Sequence, residues 1–387
     1  MLSFVCAHLF ASSRQLMRIK QIRLTNFRNY DDETVAFGDA VNVFVGSNGQ
    51  GKSALVEAIY LLAVSKSHRT ARDGDLVRIG SEWCRVSGDV ESEKQGEVEL
   101  GVVIRRGGKK QVEVNRVKRQ RISDIIGHFN AVVFSSADIR MVSGEPVDRR
   151  RFMNFEISQI SPQYVYALGR YKRVLEQRNA LLKEKKQGNA VGMLGALDEQ
   201  LVQYGCIMVE KRAQYVEDIA NEASSIYSRL CDEKEKLKIS YRSNINWDSP
   251  SGTNELRMSF REALESSAEN DMARGTTTRG PHRDEMLITI NDMEVRYFGS
   301  QGQQRSAAIA IKLAEVATIE KMTGERPVLL LDDIASELDN ERRKRVFDIV
   351  GGSGQIVVTA ADISELPEDV VCGAAVYNVK SGMVEAI

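Results

Sequence analysis

Gly46-Ser47-Asn48-Gly49-Gln50-Gly51-Lys52-Ser53 follows the apolar run Val41-Asn42-Val43-Phe44-Val45 and leads into SALVEAIYLLAV, residues 53–64. The octapeptide fits G-x-x-x-x-G-K-S, and its flanks read as a buried strand and a helix. Glycines at 46, 49 and 51 let backbone N–H groups converge on phosphate oxygens without Cβ clashes. The helix start adds its partial positive charge. Gly46, Ser47, Asn48, Gly49, Gln50, Gly51, Lys52 and Ser53 are therefore the expected ATP-binding set. Lys52 is placed for the β- and γ-phosphates, and the Ser53 hydroxyl for Mg²⁺.

Two distant segments complete the pattern. Val328-Leu329-Leu330-Leu331-Asp332-Asp333, after Pro327, reads as a buried strand ending in two carboxylates. Such an end faces the crevice where nucleotides sit in open α/β sheets. Asp332 is the expected Mg²⁺ partner, and Asp333 the group that orients or deprotonates the attacking water. Capping of the following helix is the competing reading for Asp333. Behind them, Ser336 and Asp339 of Ser336-Glu337-Leu338-Asp339 are expected in a loop that meets a second copy, with an ordinary N-cap at Ser336 as the alternative. The third segment is Ser300-Gln301-Gly302-Gln303-Gln304. The three together make sense as one ATP site divided between two copies, in an α/β P-loop head of the ABC ATPase type.

Length and charge bound the rest. The chain has 387 residues, 53 basic and 54 acidic, room for a head with an insertion and no global field to advertise nucleic acid. Cys6, Cys84, Cys206, Cys231 and Cys372 show no metal spacing and fit a reduced, cytoplasmic protein. His8, His68, His128 and His282 are too dispersed for a metal cluster. Residues 1–16 are expected to be an extension with little stable structure ahead of Met17. No stretch is long enough to span a membrane.

Residues 75–121 read as short strands with turns at Gly80, Gly88, Gly96 and Gly107-Gly108. Arg105, Arg106, Lys109, Lys110, Arg116, Lys118, Arg119 and Arg121 load the last of these with positive charge. They are candidate DNA contacts, a phosphate-tracking hairpin; a solvated face is the plainer reading. From Arg149-Arg150-Arg151 to about Arg274 the pattern is helical. Tyr164, Leu168, Tyr171 and Leu175 precede a break at Gln187-Gly188-Asn189. Leu194, Leu197, Leu201, Tyr204 and Met208 then continue at helical spacing. Two long antiparallel helices are expected, the second about 60 Å long if unbroken. Residues 254–268 rejoin this arm to the head.

These motifs identify a resemblance. With Asn26-Phe27-Arg28-Asn29-Tyr30, Lys66-Ser67-His68-Arg69-Thr70, Val133-Phe134-Ser135 to Asp138, and Arg149-Arg150-Arg151-Phe152, the chain resembles the RecF family, recombination-mediator ATPases related to chromosome-maintenance heads. Thr278-Arg279-Gly280-Pro281-His282-Arg283-Asp284 and Ser300-Gln301-Gly302-Gln303-Gln304-Arg305 are its most diagnostic part. The resemblance spans about residues 18–365. It implies that Ser300, Gln301, Gly302 and Gln303 serve the nucleotide held by a second copy, and that ATP with Mg²⁺ joins a homodimer. It also implies that the dimer engages double-stranded and gapped DNA, acts with the RecR and RecO mediators, and uses slow, DNA-stimulated hydrolysis for release. His68 or Arg69 would touch the nucleotide or serve structure. Ser136-Ala137-Asp138 stands where the family has Pro-Glu-Asp, leaving Asp138 alone on the metal side. Thr359-Ala360-Ala361-Asp362 replaces a threonine run, leaving Thr359 as the one hydroxyl for the γ-phosphate.

The expected layout is an extension (1–16), the first part of the head (17–145), a helical arm (146–274) and the second part of the head (275–387). A transporter ATPase subunit would share the phosphate loop but not an arm of this size, and DNA-stimulated ATPase activity separates the two. A scaffold that binds ATP without turnover is separated by single-turnover hydrolysis.

Overall fold

The computed structural model describes residues 16–184, 190–231, 235–247, 252–333, 340–350 and 354–387. Ser336, Asp339 and all but the last residue of the expected 1–16 extension lie outside the described residues. The chain forms two compact units. One runs up to Asp138 and resumes at Ile309; the other is Ile139–Ala308.

The first unit is built around the phosphate-loop helix, Lys52–Val64. All its residues except Ser53 are buried, as befits a helix that is apolar on every side. It packs against two six-stranded sheets. One is antiparallel, in the order Tyr30–Ala36, Met17–Phe27, Trp83–Ser92, Gly96–Arg105, Gln111–Val114, Val117–Lys118. The other is mostly parallel, in the order Met383–Ala386, Ala375–Lys380, Val41–Val45, Ile356–Ala360, Val328–Asp332, Ala131–Phe134, with the Met383–Ala386 edge antiparallel. The three strands Ala131–Phe134, Val328–Asp332 and Ile356–Ala360 are buried at every residue, as strands covered on both faces are. Their pairing sets Ala360 opposite Val45, Thr359 opposite Asp332, and Leu331 opposite Phe134. The phosphate loop, Thr359, Asp332 and the segment toward Asp138 thus leave one edge of the sheet.

Gly88 was expected in a turn but lies inside the ten-residue strand Trp83–Ser92. The reason is a close approach: a Cβ there would meet Leu62 Cδ1 at 2.7 Å.

In the second unit, helices Pro162–Glu184 and Ala190–Leu230 run antiparallel. Arg178 Nε donates to Asp198 Oδ1 at 2.6 Å, and Arg212 Nε to Tyr164 Oη at 2.9 Å, pairs that fix one register. The unit is not wholly helical. Leu237–Arg242 pairs antiparallel with Glu285–Ile290, so residues 275–308, expected with the head, fold with the helices. The division falls at 138/139 and 308/309 instead of 145/146 and 274/275.

The Gly280–Asp284 segment is one reason. Buried Asp284 accepts from Asn244 N–H at 2.8 Å and from Arg212 at 3.3 Å, and it also bonds the Tyr241 hydroxyl. Arg212 donates to Pro281 O at 2.6 Å. Gly280, at φ +125°, leaves no room for a side chain, since a Cβ would come within 2.5 Å of Tyr171 Oη. Among the described residues no helix is long and apolar enough to cross a membrane.

Candidate nucleotide-binding site

The phosphate loop connects the end of the Val41–Val45 strand to the buried helix and is held from three sides. Asn29 Nδ2 donates to Gln50 O at 2.8 Å, and Tyr30 Oη to Gly51 O at 3.0 Å. The turn at Ser381-Gly382 adds N–H donors to Gln50 Oε1 at 2.7 Å and to Gln50 O at 3.0 Å. Gly46 lies so close to the next strand that a Cβ would sit 2.3 Å from Val379 O, and Gly51 takes φ +126°. These two positions need glycine.

Lys52 is buried, and its Nζ donates to Gly46 O and Ser47 O. An ammonium curled into a loop of inward-turned amides is a charge ready for phosphate oxygens. Asn48, Gly49, Gly51, Lys52 and Ser53 line a cleft of about 460 Å³ that also includes Arg28, Arg69, Ile79 and Asp333. Gly46, Ser47 and Gln50, expected in the same set, do not line it. They act through backbone carbonyls and, for Gln50, through the Ser381 contact.

Asp332 lies buried at its strand end and accepts from Ser53 and from Thr359 Oγ1, the latter at 2.9 Å. Burial raises its pKa above the ordinary carboxylate value, while the two hydroxyl bonds and the Arg69 charge pull the other way. An oxygen pair of this kind, one hydroxyl and one carboxylate, fits Mg²⁺, which takes few protein ligands and completes its shell with phosphates and water. Asp333 follows with φ +54°, a left-handed conformation that aspartate tolerates.

Thr359 was expected to contact the γ-phosphate. It is fully buried, donates to the Asp332 carboxylate, accepts the backbone N–H of Asp333 at 2.9 Å, and does not line the cleft. Asp138 was expected to be a metal ligand. Its Oδ2 accepts from the Ser135 N–H at 2.6 Å, and it does not line the cleft.

Arg28 and Arg69 are cations that the sequence pattern displayed without assigning Arg28 a role. Glu57, completely buried on the phosphate-loop helix, takes two 2.8 Å bonds from Arg28 and lies 3.7 Å from Arg69. The Glu57 partnership raises the Arg28 pKa. The Ser67 hydroxyl also bonds Glu57 and accepts from the Arg69 and Thr70 N–H groups, each at 2.9 Å. His68 stacks edge-on against Tyr60, ring centroids 5.4 Å apart.

Ser300 belongs to the second unit. It begins the helix Gln301–Thr323 with a reciprocal cap: Gln303 N–H donates to Ser300 Oγ at 3.2 Å and Ser300 N–H to Gln303 Oε1 at 2.8 Å. Gln303 is further tied to Glu235 at 2.6 Å. Ser300 and Gln301 are exposed, leaving a helix start open to an anion.

The eight basic candidates do not form one hairpin. Arg105, Arg106, Lys109 and Lys110 flank one strand turn, and Arg116 lies at the next. Lys110 is withdrawn, its side chain 5% exposed, bonded to Ser65 O and 2.8 Å from Asp73. Arg106 donates to Val77 O, Arg78 O and Ser81 O at 3.0–3.1 Å, and Arg116 to Glu99 at 2.5 Å. Arg105, Lys109, Lys118, Arg119 and Arg121 are exposed.

The family model for the RecF/RecN/SMC N terminal domain matches residues 18–383. The "DNA replication and repair protein RecF" of Shouchella clausii is 37% identical over 96% of this chain and 100% of its own length. That of Geobacillus kaustophilus is 38% identical over 96% and 100%. A solved structure titled as the recombination mediator protein RecF with ATP in the RecFOR pathway superposes with a TM-score of 0.89, at 34% identity, covering 97% of this chain and 99% of that one. An Smc head bound to the C-winged helix domain of ScpA, at 16% identity and TM-score 0.52, shares the fold alone; it covers 95% of this chain and 97% of that one.

Proposed function

This chain belongs to the RecF family of DNA replication and repair proteins, and on that premise we propose that it is an ATP-driven switch on DNA. One observation carries the reading: Lys52, Ser53, Arg28, Arg69 and Asp333 converge on one cleft, while Ser300 caps an exposed helix start in the other unit. Lys52 and the loop amides bind the triphosphate. Ser53 and Asp332 would hold Mg²⁺, which would supply neutralisation of the triphosphate charge. Asp333 orients the attacking water and takes its proton. Ser300, Gln301, Gly302 and Gln303 of a second copy close on the γ-phosphate, so ATP joins two copies and hydrolysis parts them.

The closed pair engages duplex and gapped DNA through phosphate contacts, with Arg105, Lys109, Lys118, Arg119 and Arg121 as candidates. It works with RecR- and RecO-type mediators to help load recombinase. Turnover is slow and stimulated by DNA, so it times release.

Sedimentation of the full chain with ATP and Mg²⁺, with and without gapped duplex, tests this. The parent is expected to dimerise with ATP. Ser300→Arg is expected to bind ATP as the parent monomer does yet remain monomeric. Dimerisation of Ser300→Arg at the parent's ATP and protein concentrations would falsify the shared site.

A further inference from the structure

We infer that Tyr297 and Phe298 form the apolar part of the surface with which one copy of this chain covers the cleft of another, and that Ile79 of the second copy is their counterpart. This rests on the shared-site reading above and adds the side chains that hold the two copies together around the phosphates.

Tyr297 and Phe298 are 65% and 69% exposed. They form one aromatic surface, ring centroids 6.4 Å apart and tilted by 65°. Arg296 lies over the Tyr297 ring at 5.0 Å and pairs with Glu145, which limits the freedom of the turn that carries them. That turn, Val295–Phe298, is tied to the start of the Gln301–Thr323 helix. Gly299 N–H donates to Val295 O at 3.0 Å, and Gln304 Nε2 donates to Val295 O at 3.2 Å and Gly299 O at 3.3 Å. The aromatics therefore move only with Ser300. Two residues of chain span at most about 7 Å between Cα atoms. Wherever Ser300 reaches a γ-phosphate, Phe298 is therefore close enough to meet the rim of the cleft that holds it.

That rim carries a matching group. Ile79 lines the cleft with Lys52 and Ser53 and is 95% exposed, the most exposed large apolar side chain among the described residues. An aliphatic side chain makes no hydrogen bond to phosphate, and at this exposure it is open to an apolar neighbour. Its loop is nonetheless fixed: Arg106 donates to Val77 O, Arg78 O and Ser81 O, and Ser81 Oγ donates to Asn26 Oδ1 at 3.1 Å. Arg106 thus presents Ile79 at the cleft mouth. Two rigidly held apolar groups, each beside half of one phosphate site, bury each other when the halves meet. Exclusion of water there also strengthens the polar contacts behind them.

The test is the dimer dissociation constant of the full chain, by sedimentation with Mg²⁺ and a non-hydrolysable ATP analogue. Phe298→Ser and Ile79→Ser are each expected to weaken the dimer about 10- to 100-fold, in line with the loss of one buried large apolar contact. The double variant is expected to be little weaker than the poorer single, because the two changes remove the same contact. Monomer affinity for the analogue in Phe298→Ser stays at the parent value. Dimers of parental strength in either single variant, fully additive losses in the double, or weakened monomer binding in Phe298→Ser overturn the inference. A parent that does not dimerise with the analogue removes the shared-site reading and this one together. Loss of the dimer in Ser300→Arg with parental dimers in both serine singles removes this one alone.

Discussion

Thr359 and Asp332 stand opposite each other on adjacent parallel strands, joined by a 2.9 Å bond from Thr359 Oγ1 to Asp332 Oδ1. The same hydroxyl accepts the Asp333 N–H. One small side chain holds both the Asp332 carboxylate and the Asp333 backbone. Thr359→Val keeps the volume and removes both bonds. It should cost about 2 kcal/mol of stability in urea and reduce single-turnover hydrolysis at least about tenfold, while Thr359→Ser restores most of both. Parental hydrolysis in the valine variant would assign the ordering of Asp332 and Asp333 elsewhere.

Lys52→Ala removes the one buried ammonium of the loop. ATP affinity should fall about 100-fold or more, about 2.7 kcal/mol, since the amides alone leave the triphosphate charge unopposed. Lys52→Arg, larger and planar, should keep part of the binding and lose most turnover. Isothermal titration reads the first effect and phosphate release the second; near-parental affinity in Lys52→Ala removes the central assignment.

Asp333→Asn preserves size and abolishes basicity. Hydrolysis should stop while Mg²⁺-dependent ATP binding through Ser53 and Asp332 persists, so the variant accumulates as a dimer that leaves DNA slowly after dilution into ATP. Its affinity should still fall steeply with salt. Equal DNA off-rates for parent and variant, with hydrolysis confirmed lost, would separate turnover from release.

His282 supplies a pH signature in the second unit. Burial lowers its pKa from 6.5 to about 4, against the bond that its Nε2–H donates to Thr277 O, with Arg283, Asp284, Arg150 and the Tyr171 hydroxyl around it. The neutral ring is favoured in the folded chain. Its contribution is fully present above pH 6.5 and is lost as pH falls toward 4, by at most about 3 kcal/mol. Urea midpoints at pH 7 and pH 4.5 should differ less in His282→Gln than in the parent. An identical pH dependence in the two proteins rejects a neutral buried ring.

Much of this site was legible because its signals are local. The octapeptide, the apolar strands on either side and the paired carboxylates after Leu331 each declare themselves within a dozen residues. What escaped reading depends on partners far along the chain. Glu57 looks like an ordinary helix position in SALVEAIYLLAV, yet it is the buried anion under Arg28 and Arg69. Lys110 reads as one cation of a basic run until Asp73 and Ser65 O enclose it. Gly88 resembles a turn glycine unless Leu62 is known to press on it. The diagnostic Gly280–Asp284 run is spent on a buried Arg212 and Tyr241 network, not on the nucleotide cleft.

The clasp of Ser381 and Gly382 on Gln50 sets an order of assembly. Ser381 is made 331 residues after the loop it fastens, and the Val41–Val45 strand pairs with Ala375–Lys380 across a similar span. A growing chain on the ribosome can contain the entire octapeptide and still lack the strand and turn that shape it. Pairings of such long range are slow to form. If the octapeptide binds ATP as proposed, its bound shape waits on the Ala375–Lys380 strand and the Ser381-Gly382 turn. A chain that stops before this turn lacks both the clasp on Gln50 and the strand beside Val41–Val45.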